Sequence, residues 1–331
     1  MKIIGLMSGT SMDGITAALT DIEFMDDEPV VELLQYETFP YPEDLKTRLM
    51  NLVKGGNVKE LCEINFKIGE QFAKAAKELM EGTEEKVELI GSHGQTVCHL
   101  PAVEDENETY TLQIGEPDLI AEETEVTTIA DFRTRDVAAG GGGAPLIPYM
   151  DYRLFRSNQE NRLALNLGGI ANVTYLPKRG TIDDLIAFDT GPGNMVLDQL
   201  VRNYTHGEKE YDEDGRWANR GTINEDLLDM LMEHPFTSRE PPKSTGRQGF
   251  GKEFADEVEL AGDKLGLSRE DVLATVTGFT AETVKRSCYK YLGEIDRVIA
   301  SGGGTENSTL MEELRNRLSA KVVTTKEFGI P

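Results

Sequence analysis

The sequence predicts an α/β fold made of two similar halves. Apolar segments of strand length alternate with apolar segments of helix length along the 331 residues, and this alternation is typical of the α/β class. A strand, a glycine-containing turn and a second strand open the chain at 2–24, and the same pattern returns at 162–177. Two hairpins of one plan, each near the start of one half, predict an internally duplicated architecture.

Composition and charge exclude several classes of partner. The net charge is −25, from 59 acidic against 34 basic residues. Such a chain repels nucleic acid and anionic membranes, so we expect neither as a partner. It also repels a free nucleotide, and any nucleotide site must therefore supply local hydrogen-bond donors or a cation.

The sequence further predicts a soluble, cytoplasmic protein. No apolar run approaches the roughly 20 residues that cross a bilayer, and polar residues interrupt the N-terminal apolar stretch where a signal peptide would need continuity. The three cysteines, Cys62, Cys98 and Cys288, are far apart and lack CxxC spacing. They favour reduced thiols over disulfides or structural zinc.

The first half contains four predicted strands and one long helix. Strands are expected at 2–7 and 15–24, joined by the opening loop. Apolar residues at three-to-four spacing predict an amphipathic helix over 58–81. A short buried strand at 87–91 is expected to end at Ser-His-Gly, and another strand follows at 126–131.

A run of four consecutive glycines within 138–148 predicts a domain boundary or hinge, because such a run has little intrinsic structure. We therefore expect a first domain over 1–137 and a second over 138–331. A flexible surface loop is the alternative interpretation of the same run.

In the second half, glycine turns again follow strands. The hairpin at 162–177 is followed by a strand at 185–189 that runs into Gly-Pro-Gly and a helix with one apolar face. Residues 252–292 are predicted to be mostly helical. The segment 297–318 reads as strand, glycine turn and helix.

The opening loop, GLMSGTSMDG at 5–14, has the composition of a phosphate-binding turn. Glycines let the backbone approach a ligand and point free N–H groups at an anion. Ser8, Thr10 and Ser11 add hydroxyl donors, and Asp13 could hold a hydrated Mg²⁺ that accompanies the phosphate. An ordinary Gly/Ser hairpin turn is the alternative.

Three further glycine turns at strand ends, Gly168-Gly169, Gly191-Pro192-Gly193 and Gly302-Gly303-Gly304, favour a nucleotide site. Ligands of α/β proteins bind beyond the carboxyl ends of strands. Neither GxxxxGK[ST] nor GxGxxG occurs in the sequence. What remains is the plan of the actin, Hsp70 and sugar-kinase fold: two duplicated ribonuclease H-like domains with an interdomain nucleotide cleft.

Eight motifs occur in order that together resemble one family: GLMSGTSMDG, GSHGQTVCH, LQIGEPDLIAE, ADFRTRDVAAGGGGAPLIP, LNLGGIANVTYL, FDTGPGN, KSTGR and SGGGTENSTLMEEL. The chain resembles the anhydro-N-acetylmuramic acid kinases of bacterial cell-wall recycling from residue 3 to 331. The resemblance implies a kinase that uses ATP and Mg²⁺. It opens the 1,6-anhydro ring with water and phosphorylates O6, which gives N-acetylmuramic acid 6-phosphate.

Asp189 matches the family's catalytic aspartate and lies at a strand end beside a glycine turn. A carboxylate that is ionised at neutral pH can take a proton from water on the face opposite the leaving oxygen. The alternative role is an N-cap of the following helix, which the intervening Gly-Pro-Gly disfavours.

The resemblance also assigns nucleotide and sugar contacts. The predicted nucleotide-binding residues are Gly9, Thr10, Ser11, Asp13 and Gly14 in the first phosphate loop, Gly168, Gly169 and Asn172 in the second, Gly191 and Gly193, and Gly302, Gly303, Gly304 and Asn307 in the adenosine turn. Asp13 is also the predicted metal ligand. The predicted sugar contacts are His93, Gln95 and Arg133.

Two local patterns allow more than one interpretation. Lys243 and Arg247 in KSTGR are either cations near a nucleotide or product phosphate, or solvated loop charges. His93, Cys98 and His99 could suggest zinc, but no fourth ligand occurs at suitable spacing.

The chain ends with TTKEFGIP, where the family continues with a closing helix that carries a sugar-binding glutamate. We expect the absence of this helix to weaken sugar binding or domain closure. This absence motivates one other function, an ATP-binding protein without turnover. A kinase of another anhydrosugar or sugar is a second alternative, because spacing does not reveal the contacts to the acceptor. A small-molecule substrate is expected in either kinase, and a homodimer is one possible assembly.

Overall fold

The computed structural model describes residues 1–9, 12–25, 28–100 and 108–330, and it divides into two compact units, Met1–Leu146 and Ile147–Pro331. The predicted division after residue 137 therefore falls inside the first unit. Two side chains from the preceding helix explain the difference: Arg133 donates to the carbonyl of Gly143, and Asp136 accepts from its N–H. The glycine run is thus tied to the first unit.

The first unit is a six-stranded mixed sheet with helices. Its elements are β1 (Lys2–Ser8), β2 (Gly14–Met25), β3 (Glu28–Pro40), α1 (Glu43–Val53), α2 (Val58–Glu81), β4 (Leu89–Leu100), β5 (Tyr110–Ile114), α3 (Pro117–Thr124), β6 (Thr128–Ile129) and α4 (Phe132–Ala138). Strands β3, β2 and β1 form an antiparallel meander, and β4 pairs parallel with β1. The far edge of β4 pairs with β6 in its first part and with β5 in its second.

The core of this unit lies between the sheet and α2. The stripe of α2 that contains Ile64, Ile68 and Phe72 is fully buried against Ile4 of β1 and Ile90 of β4. The predicted helix over 58–81 and both opening strands are confirmed. The predicted end of the strand at 91 is wrong, because pairing with β5 extends β4 to Leu100.

The second unit repeats the plan with a five-stranded sheet. Its elements are α5 (Ile147–Phe155), β7 (Arg162–Leu167), β8 (Ile170–Leu176), β9 (Ile186–Pro192), α6 (Met195–Thr205), α7 (Glu225–Met232), α8 (Pro235–Ser238), α9 (Arg247–Phe250), α10 (Lys252–Lys264), α11 (Arg269–Tyr291), β10 (Arg297–Ser301), α12 (Ser308–Arg317) and β11 (Lys321–Thr324). Strands β9, β8 and β7 form an antiparallel meander, and β10 and β11 continue it in parallel.

The order β3-β2-β1-β4-β6 in the first unit therefore matches β9-β8-β7-β10-β11 in the second, strand by strand and direction by direction. The predicted α/β class and its internal duplication are confirmed. Helices cover both faces of the second sheet: α11 and α12 pack on one face, and α5 packs on the other. Helix α11 is buried almost all round from Val272 to Val284, which makes it the central helix of the unit.

Within the described residues, no helix has both the length and the apolar character needed to span a membrane.

Candidate active site

The turn between β1 and β2 is supported from below by a buried amide. The Ser8 hydroxyl lies 2.7 Å from both the carbonyl of Gly14 and Oε1 of Gln95. The Gln95 side chain, which is 0% exposed, donates from Nε2 to the carbonyl of Gly9 at 3.1 Å. Gln95 thus links β4 to the opening turn, and its burial does not support the predicted sugar contact.

Asp13 is the exposed acidic group of the same turn. Its side chain is 65% exposed, and Oδ1 lies 2.6 Å from Nζ of Lys46. Thr10 and Ser11 lie outside the described residues. The described ranges contain no group of three or more residues able to hold a metal ion. A single exposed carboxylate still fits Mg²⁺, which usually takes one or two carboxylates and completes its shell with phosphates and water.

His93 and Arg133 form a hydrogen-bonded pair in the first unit. Nε of Arg133 donates to Nε2 of His93 at 2.8 Å, and Nδ1 of His93 lies 2.9 Å from the carbonyl of Gly94. His93 is thus neutral with its proton on Nδ1, and burial together with the Arg133 charge lowers its pKa. Arg133 is fixed at its other end by the carbonyl of Gly143. Two of the three predicted sugar contacts, His93 and Arg133, therefore lie in one pre-organised network.

Zinc has no support at His93, Cys98 and His99. His93 already uses both ring nitrogens, and Cys98 is an exposed free thiol. Nδ1 of His99 is buried and has no hydrogen-bond partner in the described part of the chain. Burial and the Arg133 charge lower the pKa of His99, so it too is held neutral.

In the second unit, the two glycine turns at the strand ends are hydrogen-bonded to each other. The N–H groups of Gly193 and Asn194 donate to the carbonyls of Gly169 and Gly168 at 2.9 and 2.8 Å. A Cβ on Gly193 would lie 2.2 Å from the carbonyl oxygen of Gly168. Only glycine fits at this close approach, so the hairpin turn and the start of α6 form one surface.

A pocket of about 340 Å³ adjoins this surface in the second unit. The glycine turn after β10 forms one wall, where Gly302 has φ of 84°, a conformation that favours glycine. Asn307 follows the turn and caps α12 by accepting from the N–H of Leu310 at 3.0 Å. The lining residues come from α6, the loop after it and this turn: Asn194, Leu197, Asp198, Tyr211, Asp212, Asp214, Gly303, Glu306 and Asn307.

Asp198 is the unusual group of this pocket. It lies on α6, and its carboxylate makes no hydrogen bond within the described residues. Burial raises its pKa to about 6, opposed by the Arg202 charge and assisted by Glu210. Asp212, by contrast, accepts from the N–H groups of Trp217 and Ala218. Asp198 therefore has hydrogen-bond acceptors to offer a ligand in the pocket.

Asp189 lies inside β9 (Ile186–Pro192) and is held by the segment 243–245. The predicted strand end at 189 is wrong, because pairing with β8 continues to Pro192. Its Oδ2 accepts from the N–H of Thr245 at 2.8 Å and from the Ser244 hydroxyl at 2.9 Å. Its own N–H donates to the carbonyl of Lys243 at 3.1 Å. Oδ1 makes no hydrogen bond in the described parts of the chain. The alternative N-cap role for Asp189 is wrong, because Asn194 occupies that position in α6.

The environment of Asp189 works in two directions on its acidity. Burial raises the pKa of the carboxyl group, whereas the hydrogen bonds from Thr245 and Ser244 and the charge of Lys243 lower it.

The two cations of the KSTGR motif lie in different environments. Lys243 is only 7% exposed, so it is not a solvated loop charge, whereas Arg247 is exposed at the start of α9. The KSTGR motif suggested a role for its cations. The contacts of the Ser244 hydroxyl and the Thr245 N–H with Asp189 could not be predicted from the sequence.

The match to known proteins extends along the whole chain. The model of the family described as anhydro-N-acetylmuramic acid kinase matches residues 1–331. The chain belongs to this family. A relative of that name from Caldanaerobacter subterraneus subsp. tengcongensis is 46% identical over 339 aligned residues, which cover 99% of this chain and 86% of the relative. One from Bacillus cereus strain AH820 is 45% identical over 326 residues, covering 96% and 84%.

Among solved structures, component A of the Acidaminococcus fermentans (R)-2-hydroxyglutaryl-CoA dehydratase aligns over 99% of this chain and 93% of its own, with a TM-score of 0.46 and 12% identity. Family membership therefore rests on the sequence matches, and the duplicated architecture rests on the strand order of the two sheets.

Proposed function

We propose that the chain is an ATP-dependent kinase of 1,6-anhydro-N-acetylmuramic acid that serves cell-wall recycling. Water adds to the anomeric carbon, the bond from that carbon to O6 breaks, and O6 takes the γ-phosphoryl group of ATP. The products are N-acetylmuramic acid 6-phosphate and ADP. The single observation that carries this proposal is the carboxylate of Asp189, fixed through Oδ2 with Oδ1 available, in a chain that matches the family from end to end.

Asp189 acts as the general base in this proposal. The two donors to Oδ2 fix the plane of the carboxylate, so that Oδ1 can accept a proton from the attacking water. Activation of this kind by a positioned carboxylate typically contributes 10²–10⁴-fold to a rate. His93 and Arg133 bind the sugar, and the fixed guanidinium of Arg133 suits a substrate that carries a carboxylate.

The nucleotide phosphates contact the glycine turns. Each unit has its own glycine turn for an anion: the turn at Gly9 in the first unit, and the surface made by Gly168 and Gly193 in the second. Backbone exposed at such turns can meet a phosphate, which a chain with a net charge of −25 requires. Asp13 holds Mg²⁺, which when bound neutralises charge on the phosphates. The pocket beside Gly303 takes the nucleoside, and Asp198 accepts a hydrogen bond from its ribose hydroxyls or exocyclic amine.

The deciding measurement is ADP release by the chain with Mg²⁺-ATP, with and without the anhydrosugar, together with identification of the 6-phosphate. Sugar-dependent release with that product supports the proposal. Release with levoglucosan but not with the muramic sugar favours a kinase of another anhydrosugar. ATP binding without transfer to either sugar indicates a nucleotide-binding protein.

The free cysteines Cys62, Cys98 and Cys288 are compatible with the cytoplasm, where we propose that the reaction occurs.

Asp13→Ala should raise the apparent KM for Mg²⁺-ATP by about tenfold, the loss expected for one charge-assisted contact. The KM for the sugar should stay within twofold. The measurement is initial rates at saturating sugar over a range of Mg²⁺-ATP. Lys46→Ala is the matched control, since it removes the partner of Asp13 and leaves the carboxylate in place. An unchanged KM for Mg²⁺-ATP in Asp13→Ala would contradict the proposal that Asp13 is a metal ligand.

A further inference from the structure

Lys243 carries a buried ammonium surrounded by aromatic rings. Its Nζ lies 4.8 Å from the ring centroid of Phe236, 5.6 Å from that of Tyr291 and 5.9 Å from that of Phe188. Its hydrogen bond to protein runs to the carbonyl of Phe236 at a long 3.4 Å. We call Phe188, Phe236 and Tyr291 the aromatic cage.

The cage is itself rigid. Phe188 and Phe236 are 5% and 4% exposed, and the rings of Phe188 and Tyr291 meet edge to face with centroids 6.0 Å apart. The Tyr291 hydroxyl donates to the carbonyl of Arg239 at 2.9 Å, which ties the end of α11 to the loop after α8. An ammonium group among such rings is held in one place.

A charge in this setting needs an explanation beyond packing. Burial of an ammonium without a close carboxylate is unfavourable, and an apolar side chain of similar length would fill the cage at lower cost. Burial lowers the pKa of Lys243, and so does the nearby charge of Lys290, whereas Asp189 raises it. Lys290 is exposed and has Glu240 near it. Asp189 is thus the charged group whose interaction favours the buried ammonium.

The backbone of the same residue joins the cage to Asp189. The carbonyl of Lys243 accepts from the N–H of Asp189, and the next two residues supply both donors to Oδ2. Phe188, one wall of the cage, directly precedes Asp189 in β9. The cage therefore holds the side chain of the residue whose backbone, together with the next two residues, contacts Asp189.

We infer that Lys243 is a positioning residue whose caged ammonium anchors the segment 243–245 against Asp189 and places a fixed positive charge near that carboxylate. The inference rests on the proposed role of Asp189 as the base. Burial alone favours the protonated carboxyl group, which cannot accept a proton from water. The fixed charge and the two donors oppose that effect and so favour the ionised base.

The test compares Lys243→Met, Lys243→Gln and Lys243→Arg with Lys290→Met as the matched control. Lys290 also lies against Tyr291, at 4.8 Å, but is exposed. Removal of the caged charge should move the acid limb of kcat/KM upward by about one pH unit. The KM for ATP should not change. Lys243→Arg should restore most of the wild-type profile, and Lys290→Met should leave it within about 0.2 units.

A second readout does not depend on turnover. The pKa of Asp189 is measured directly by carboxyl ¹³C NMR on the substrate-free chain, with the resonance assigned by Asp189→Asn. An upward shift of the Asp189 pKa by about one unit in Lys243→Met or Lys243→Gln supports the inference. This holds even if the chain phosphorylates no sugar, and in that case only the proposed function fails. Folded neutral variants with the wild-type Asp189 titration would overturn it. If the Lys243→Met variant does not fold, the titration of Asp189 in Lys243→Gln decides the test.

Discussion

Asp189→Asn is expected to lower sugar-dependent ADP release by about 10²–10⁴-fold and to leave ATP affinity within twofold. The amide keeps the shape of the side chain, and its oxygen can still accept from Thr245 and Ser244. It cannot take a proton from water at neutral pH. The loss should therefore fall on kcat, because an interaction needed only in the transition state is removed.

Rates are measured at saturating ATP and sugar, and ATP binding is measured separately by calorimetry. Asp229→Asn, an exposed aspartate on α7, is the matched control and should keep wild-type rates. Since protonation disables the base, the wild-type rate should fall as the pH drops through the pKa of Asp189, which burial raises. Undiminished turnover in Asp189→Asn would assign the base to another group.

The duplicated fold could be predicted because its signals are local. Each opening hairpin is an apolar strand, a glycine turn and a second apolar strand, and pairing within the hairpin preserves that pattern in the structure. The long helix over 58–81 likewise has its apolar stripe in its own sequence. Predictions failed where contacts between distant parts of the chain fix the boundary of an element or a unit. Strand β4 continues past Gly94 because β5 pairs with it. The glycine run belongs to the first unit because side chains of α4 bind Gly143.

The candidate site divides in the same way. Asp189 could be found from its motif, because the strand and the glycine turn beside it are adjacent in sequence. Ser244 lies 55 positions away and donates to Asp189 in the fold, so no spacing rule reveals it. Gln95 lies in a motif with His93, yet alternation along β4 turns its side chain beneath the opening turn. A motif identifies the segment, but packing decides which of its side chains can meet a ligand.

Asp198→Asn is expected to stabilise the protein and to weaken its binding of ATP. Burial raises the pKa of Asp198 from 3.8 to about 6, so the folded state is disfavoured by ionisation of this group. The wild-type contribution is most favourable below pH 4 and is lost as the pH rises through 6. Removal of the charge should therefore raise the free energy of unfolding by about 3 kcal/mol at pH 8 and by about half of that at pH 5.

Asp151→Asn separates stability from function. Burial raises the pKa of Asp151 to about 6 as well, but its carboxylate accepts from the Thr174 hydroxyl at 2.7 Å and does not line the pocket. In urea unfolding, the gain in stability of each variant over the wild type should grow as the pH rises. Only Asp198→Asn should also lose ATP affinity, by about tenfold for one charge-assisted hydrogen bond. Wild-type ATP affinity in Asp198→Asn would mean that the nucleoside does not bind through this carboxylate. Opposite effects on stability and binding would explain why the Asp198 carboxylate makes no hydrogen bond within the described residues: the ligand supplies its hydrogen bond.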